Sequence, residues 1–187
     1  MLLLHTCCAD CGLKFMESLT DNDFKSKEVT WYYYNPNIHP RSEYLARMKA
    51  VKRVIKERQL DVELHIPNYR PAEYFQALNS SLSIKTGQAP GQADRCPHCW
   101  RLRLKTSFKY AQENNFKAVS TTLLTSHYQN RSIIKEIGQE LAQKYQLDFF
   151  IPKELVCDLK THGFYKQNYC GCCFSLLEKY QQKFKSA

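Results

Sequence analysis

Nine cysteines in 187 residues fall in four places: Cys7, Cys8 and Cys11 in "HTCCADCG", Cys96 and Cys99 in "RCPHCW", Cys157 alone, and Cys170, Cys172 and Cys173 in "YCGCC". Neighbouring residues such as Cys7 and Cys8 reach disulfide geometry only with strain. The count is odd, the chain is longer than small disulfide-stapled scaffolds, and the clusters are tight, which points to metal ligation or thiol redox chemistry in a reducing compartment. Cys8-x2-Cys11 and Cys96-x2-Cys99 supply four thiolates from two separated knuckles, the usual donor set of a structural zinc or an iron–sulfur cluster. Zinc would leave Cys7 without a role, whereas a cluster could use Cys7 and Cys8 together and release Cys11. Spacing alone leaves both open.

"CPHC" also resembles the active-site motif of oxidising thioredoxin-fold proteins. In those proteins the motif opens a helix directly after a strand, whereas here it is expected to follow a Gly/Pro/Ser-rich loop. Cys170-Gly-Cys172 has a spacing at which two thiols form a strained, easily reduced disulfide, a store for two electrons, with further metal ligation as the alternative. Cys157 is expected to be a buried small hydrophobe, and Cys173, opening the last helix, to be buried or to act as a further thiol. His5 ends a strand beside the thiols, where it is either a proton donor or a satisfied core imidazole. No Gly-x-Gly-x-x-Gly, Gly-x-x-x-x-Gly-Lys or Ser-Gly-Gly-x-Asp-Ser loop offers a cradle for a dinucleotide or ATP.

The elements that must position these residues alternate. "MLLLH", "VTWYYY", "DVELHIP", "KAVSTTLL" and "LDFFIP" read as strands; helices are expected from "GLKFMESL", from Ser42 as a cap onward, from "PAEYFQAL", from "WRLRLKTSFKYAQENN", from "RSIIKEIGQELAQKYQ" and from about Phe174. Asn79 to Asp94 reads as one long loop. In the fourth of these helices Leu104, Phe108 and Ala111 share one face, while Arg101, Lys105 and Lys109 form a basic ridge. Five strands separated by helical stretches predict a single α/β domain over 1–187, with a parallel five-stranded sheet flanked by helices. Ligands of such sheets sit beyond the carboxyl ends of strands, so Cys7 to Cys11, Asn35 to Pro40 and Thr122 to His127 are expected on one rim.

A net charge of +9 favours a polyanionic partner, nucleic acid first. "MLLLHTCC" has no basic leader and only three leucines before polar residues, so neither a signal peptide nor a membrane span is expected, and the location inferred is cytoplasmic.

"LLHTCCADC", "YYNPNIHP", "EYLARM", "RCPHCWRLRL", "TTLLTSHYQN" and "YKQNYCGCCFS" follow one another in the order seen in the QueH-type, cobalamin-independent epoxyqueuosine reductases, and the chain resembles that family almost end to end. The resemblance implies a Rossmann-like sheet of HUP type and reduction of the epoxide of epoxyqueuosine, at the wobble position of certain tRNA anticodons, to queuosine. It implies a [4Fe-4S] cluster on Cys7, Cys8, Cys96 and Cys99, a redox-active pair in Cys170 and Cys172, and a place for Cys11 beside an additional mononuclear iron. The implied partners are tRNA and an unidentified electron donor, with no membrane. Asp10 stands where the family usually has Pro, Cys173 where an aliphatic residue is common, and the segment between Asp158 and Tyr169 is shorter than usual. Asp10 and His5 are proton-donor candidates by proximity to the thiols. Tyr34, Asn35, Asn37 and Trp100 are candidates for holding the base. The rival readings are a zinc-containing RNA-binding protein without catalysis and a thiol–disulfide oxidoreductase.

Overall fold

The computed structural model describes residues 1–20, 22–81, 90–159 and 163–185. Its strands are β1 (Leu2–His5), β2 (Val29–Tyr32), β3 (Glu63–His65), β4 (Ala118–Thr121) and β5 (Asp148–Phe149), all parallel in the order β3-β2-β1-β4-β5. The helices are α1 (Ala9–Glu17), α2 (Arg41–Glu57), α3 (Pro71–Ser81), α4 (Gln92–Glu113), α5 (Arg131–Tyr145) and α6 (Cys173–Lys185), with short 3-10 turns at Ser26–Glu28 and Thr122–Thr125. The α/β parallel sheet read from the strand pattern is present.

Apolar residues run continuously in the central strands because both faces of the sheet are covered. Leu2 and Leu4 of β1 pack with Trp31, Tyr33 and residues of α1 and α2 on one side. Leu3 packs with Tyr32, Tyr34 and residues of α4 and α5 on the other. All three leucines are fully buried, each contributing about 1.5–3 kcal/mol of hydrophobic stabilisation.

Register fixes where the functional loops emerge. His5 pairs with Tyr32 on one side and with Thr121 on the other, so the carboxyl ends of β1, β2 and β4 stand level. The chain leaving each of them, towards Cys7, Asn35 and Thr122 respectively, enters the same rim.

Several boundaries differ from the sequence expectation, each for a local reason. Helix α1 starts at Ala9 rather than Gly12, because Cys8 takes the N-cap position and its Sγ accepts from the Cys11 N–H at 3.5 Å. Helix α2 starts at Arg41 with Pro40, not Ser42, at its N-cap and no side-chain cap. The fourth strand ends at Thr121, whose hydroxyl accepts from the Leu123 N–H at 3.2 Å and turns the chain into the 3-10 segment. The expected loop from Asn79 to Asp94 is shorter at both ends, with α3 reaching Ser81 and α4 beginning at Gln92, while residues 82–89 lie outside the described residues. Cys96 and Cys99 are therefore carried inside the first turns of a helix rather than ahead of it, with Pro97 between them.

The basic ridge of α4 is partly spent within the protein. Arg101 forms a two-pronged pair with Glu140 of α5, at 2.6 and 2.8 Å. Among the described residues no helix is long and apolar enough to cross a membrane.

Candidate metal and redox site

Strand β1 delivers Cys7 and Cys8 to the rim and α1 turns Cys11 back towards them, since residues three apart across a helix start face the same way. The three thiols are buried, and their sulfurs lie within 4.8 Å of one another. Cys7 is anchored twice by Thr122 of the neighbouring rim segment: its N–H donates to the hydroxyl at 3.0 Å, and the hydroxyl donates to its Sγ at 3.3 Å. Bonds from Cys11 and Cys8 hold Cys7 well below the usual thiol range. Cys11 is pushed well above it by its bond to Cys7, and Cys8 rises to about 11 because Cys7 and burial outweigh the bond from Cys11. Of the three soft donors, Cys7 is thus the one whose ionised form is favoured.

A second group of thiols stands nearby. Cys96 and Cys99 of α4 line a small enclosed cavity with Cys170 and Cys172 of the carboxyl-terminal segment, and Asn37, Trp100 and Arg103 complete its wall. Burial raises Cys96 to about 12 and Cys99 to about 11. Cys170 and Cys172 sit 3.6 Å apart, sulfur to sulfur. The bond from Cys170 lowers Cys172 to about 5, helped by the Ser175 N–H, which donates at 3.3 Å from the start of α6. A thiolate at a helix N-terminus is stabilised by the unpaired N–H groups there. The same bond pushes Cys170 well upward, so the reduced pair is one thiol and one thiolate.

The Cys-Gly-Cys turn is held rigidly. Arg47, 2% exposed, donates to the carbonyls of Cys170 at 3.1 Å and Tyr169 at 3.3 Å, and its Nε donates to Glu43 at 2.6 Å. The His39 N–H donates to the Gly171 carbonyl at 2.8 Å. Gly171 has φ +112, and a Cβ there would come within 2.9 Å of the Arg47 guanidinium. The position needs glycine on both counts.

Arg103 is the cation of the centre. It is 3% exposed and donates to His5 Nε2 at 3.2 Å and to Asn35 Oδ1 at 2.7 Å, both neutral partners, and among the described residues it pairs with no carboxylate. A buried guanidinium without an acid partner calls for negative charge close by, and Arg103 bears electrostatically on both Cys7 and Cys99. Soft sulfur donors near a buried cation fit an anionic metal cluster, and Cys7, Cys8 and Cys11 are the set whose sulfurs converge.

The remaining sequence candidates divide. His5 is buried and satisfied: with Arg103 donating to Nε2, its Nδ1–H donates to the Thr121 hydroxyl at 2.8 Å, and burial together with Arg103 keeps it well below the usual imidazole range. Asp10 is nearly buried and pairs with Lys14 at 3.0 Å and Lys166 at 3.4 Å. Asn35 is used up by the Thr6 carbonyl, at 2.9 Å, and Arg103. Asn37 lines the thiol cavity with a buried Oδ1 that has no partner among the described residues, free for an incoming donor. Tyr34 and Trp100 are core residues: Tyr34 donates to Glu73, and the Trp100 indole N–H donates to Gln129 at 2.5 Å. Cys157 is only half-buried, and Arg131 donates to its sulfur at 3.0 Å. Cys173 is likewise half-buried at the first position of α6.

Sequence reasoning missed Arg47, Arg95 and Arg103, all buried beside cysteines. A readable signal existed: Arg103 falls on the inward stripe of Trp100, Leu104, Ser107 and Ala111, and Arg47 on that of Tyr44 and Val51, where a solvated cation would not stand.

Comparison with known proteins gives one consistent result. A family model described as "Epoxyqueuosine reductase QueH" matches residues 2–178. A Thermotoga maritima protein named Epoxyqueuosine reductase QueH is 32% identical over 187 residues, covering 95% of this chain and 91% of its own length. A Haemophilus influenzae protein of the same name is 32% identical over 184 residues, covering 94% of this chain and 71% of the relative. A Helicobacter pylori relative, also so named, is 32% identical over 188 residues, and there the match covers 94% of this chain but 49% of the longer relative.

Proposed function

The chain belongs to the epoxyqueuosine reductase QueH family, whose members are oxidoreductases, and from that premise we propose that it reduces epoxyqueuosine in the tRNA anticodon to queuosine, the last step in making that modified base. The observation that carries the reading is the meeting, at one sheet rim, of three converging buried thiols with a Cys-Gly-Cys pair poised as thiol and thiolate.

Opening the epoxide to an alkene consumes two electrons and two protons and releases the oxygen as water. The reduced Cys170 and Cys172 pair, one thiol and one thiolate, supplies both electrons and one proton when it closes to a disulfide: the S–S bond forms, two C–O bonds break, and a second proton drawn from solvent completes the water. An external two-electron donor then reopens the disulfide. Cys7, Cys8, Cys96 and Cys99 would hold a [4Fe-4S] cluster, with Cys11 left for a further iron. When bound, that group supplies a Lewis acid and an electron relay beside the pair.

The chain's own residues do the positioning. Arg47 and the His39 N–H fix the carbonyls around Gly171, so the two sulfurs stay in register. The Asn37 Oδ1 is offered to a hydroxyl or amine of the substrate. His5, held neutral, serves to orient Arg103 rather than as a reservoir of protons. Asp10, two residues from Cys8 in the chain and salt-bridged to Lys14 and Lys166, is the proton-donor candidate left by this arrangement.

The test is anaerobic incubation of iron- and sulfide-reconstituted protein with tRNA containing epoxyqueuosine, followed by mass analysis of the released nucleoside. Loss of one oxygen is expected. An unchanged mass under a strong reductant overturns the reading.

A further inference from the structure

With Tyr34 and Trp100 only 5% and 4% exposed, a base lifted out of an RNA loop must find its stacking surfaces elsewhere. An open groove of about 500 Å³ offers them on the outer side of the segment that leads into Cys170. Its walls are the first turn of α2, the chain from Tyr165 to Tyr169 and one side of α6. Tyr165 and Tyr180 reach it from opposite walls, 43% and 51% exposed.

Two cations share the groove. Lys166, 56% exposed, is tethered to Asp10, and Lys179 donates to Asn168 and lies 5.7 Å over the Tyr169 ring. Glu43 is the acid of the lining and is already engaged, by buried Arg47 at 2.6 Å and by the Tyr165 hydroxyl. The lining therefore presents net positive charge. It also holds the buried Gln167 Oε1, which has no partner among the described residues and is an acceptor for an amine or a ribose hydroxyl.

Exposed aromatic rings interleaved with lysines suit a single nucleic-acid strand better than a peptide or a lipid: every base has a π-face, and every linkage a phosphate. The groove is also continuous with the chemistry. Tyr169 forms its wall, and the next residue, Cys170, lines the thiol cavity, a step of about 3.5 Å along the chain.

We propose that this groove binds the single-stranded RNA flanking the reacting nucleotide, with Tyr165 and Tyr180 as stacking platforms and Lys166 and Lys179 as phosphate contacts. The proposal rests on tRNA being the substrate, as argued above, and it makes the groove a determinant of how the substrate is held rather than of the reduction itself.

The experiment measures binding of tRNA containing epoxyqueuosine by fluorescence anisotropy across a salt series, with turnover recorded on the same preparations. Tyr180→Leu keeps bulk but loses the π-face, and its affinity should fall by at least about 5-fold, while Tyr180→Phe binds like the parent. In Lys166→Ala/Lys179→Ala the slope of log affinity against log salt should shrink by about 1.4, the value for two phosphates on a single strand. Tyr180→Leu and Tyr180→Phe should keep the parent's rate at saturating tRNA. Unchanged affinity in Tyr180→Leu together with an unchanged salt slope in the lysine variant overturns the groove. A parent that binds tRNA but leaves epoxyqueuosine unreduced at saturation overturns instead the reading on which the proposal stands, and the binding data still decide the groove.

Discussion

Arg103 illustrates how much of the candidate site is settled one residue at a time. Its guanidinium bonds the neutral His5 and Asn35 and, among the described residues, pairs with no carboxylate, so the compensating charge must come from the thiols around it, Cys99 among them. Arg103→Met keeps the volume and removes the charge, which makes neighbouring thiols harder to ionise. Iron bound per chain, after reconstitution under limiting iron, should drop at least several-fold while the far-ultraviolet dichroism is retained; equal loading would refute this role. Cys8→Ser should lose both the brown colour of the reconstituted protein and turnover. Cys170→Ser should keep the colour and lose turnover, and bleaching in that variant would mean that the ligands are misassigned. Cys172, lowered to about 5, lies below the usual thiol value, so it is already ionised across the neutral range. Its reaction rate with a small thiosulfonate should be nearly flat between about pH 6 and 8, where an ordinary thiol speeds up about 100-fold, and should fall only as pH drops through about 5. Cysteine types and spacings made this chemistry legible in the sequence. The arginines were not, because a lone cation reads as solvated until the helix stripe it interrupts is traced.

At the scale of elements, the sequence marked every helix and strand but misplaced the ends that matter most. A strand pattern does not reveal where pairing stops, so β4 was expected to run on through Leu124, whereas the Thr121 hydroxyl breaks it into a 3-10 turn and presents Thr122 to Cys7. The start of α4 was hidden for a different reason: Pro97 and the polar residues before it look like a loop, yet Gly91 opens a helix that carries Cys96 and Cys99 in its first two turns. The Cys-Gly-Cys turn joins the last helix to the rim. There, Gly171→Ala combines a left-handed backbone with a clash against Arg47, which is buried and held by its bonds to Glu43, Tyr169 and Cys170. A cost of about 1–3 kcal/mol is expected from the backbone alone. The check is denaturant unfolding together with the rate at which the Cys170 and Cys172 disulfide forms; a variant as stable and as fast as the parent would show the turn to be permissive.

For the whole molecule, alternation of strands and helices was enough to give a parallel α/β sheet, and the rule that ligands sit beyond strand ends was enough to gather the cysteines on one side. Strand order was not readable. Nothing local in "MLLLH" says that it lies between β2 and β4, a pairing that joins residues over a hundred positions apart. Because segments from both ends of the chain meet at the thiols, a group bound there should stabilise the whole fold. Reconstitution at iron–sulfide levels about 100-fold above the dissociation constant should add about 2.7 kcal/mol, or roughly 5–10 °C in melting temperature for a chain of this size, and chelation should remove it. A melting point indifferent to loading would place the bound metal outside this centre. The long span between Cys7 and Cys172 also has a consequence in time. At about 5–20 residues per second of synthesis, the first thiols leave the ribosome on the order of ten to thirty seconds before the last, with β4, α4 and the carboxyl-terminal segment still to come. Throughout that interval Cys7, Cys8 and Cys11 lack the walls that later enclose them, so filling of the centre belongs to the finished polypeptide, and the nascent chain needs protection from oxidants until then.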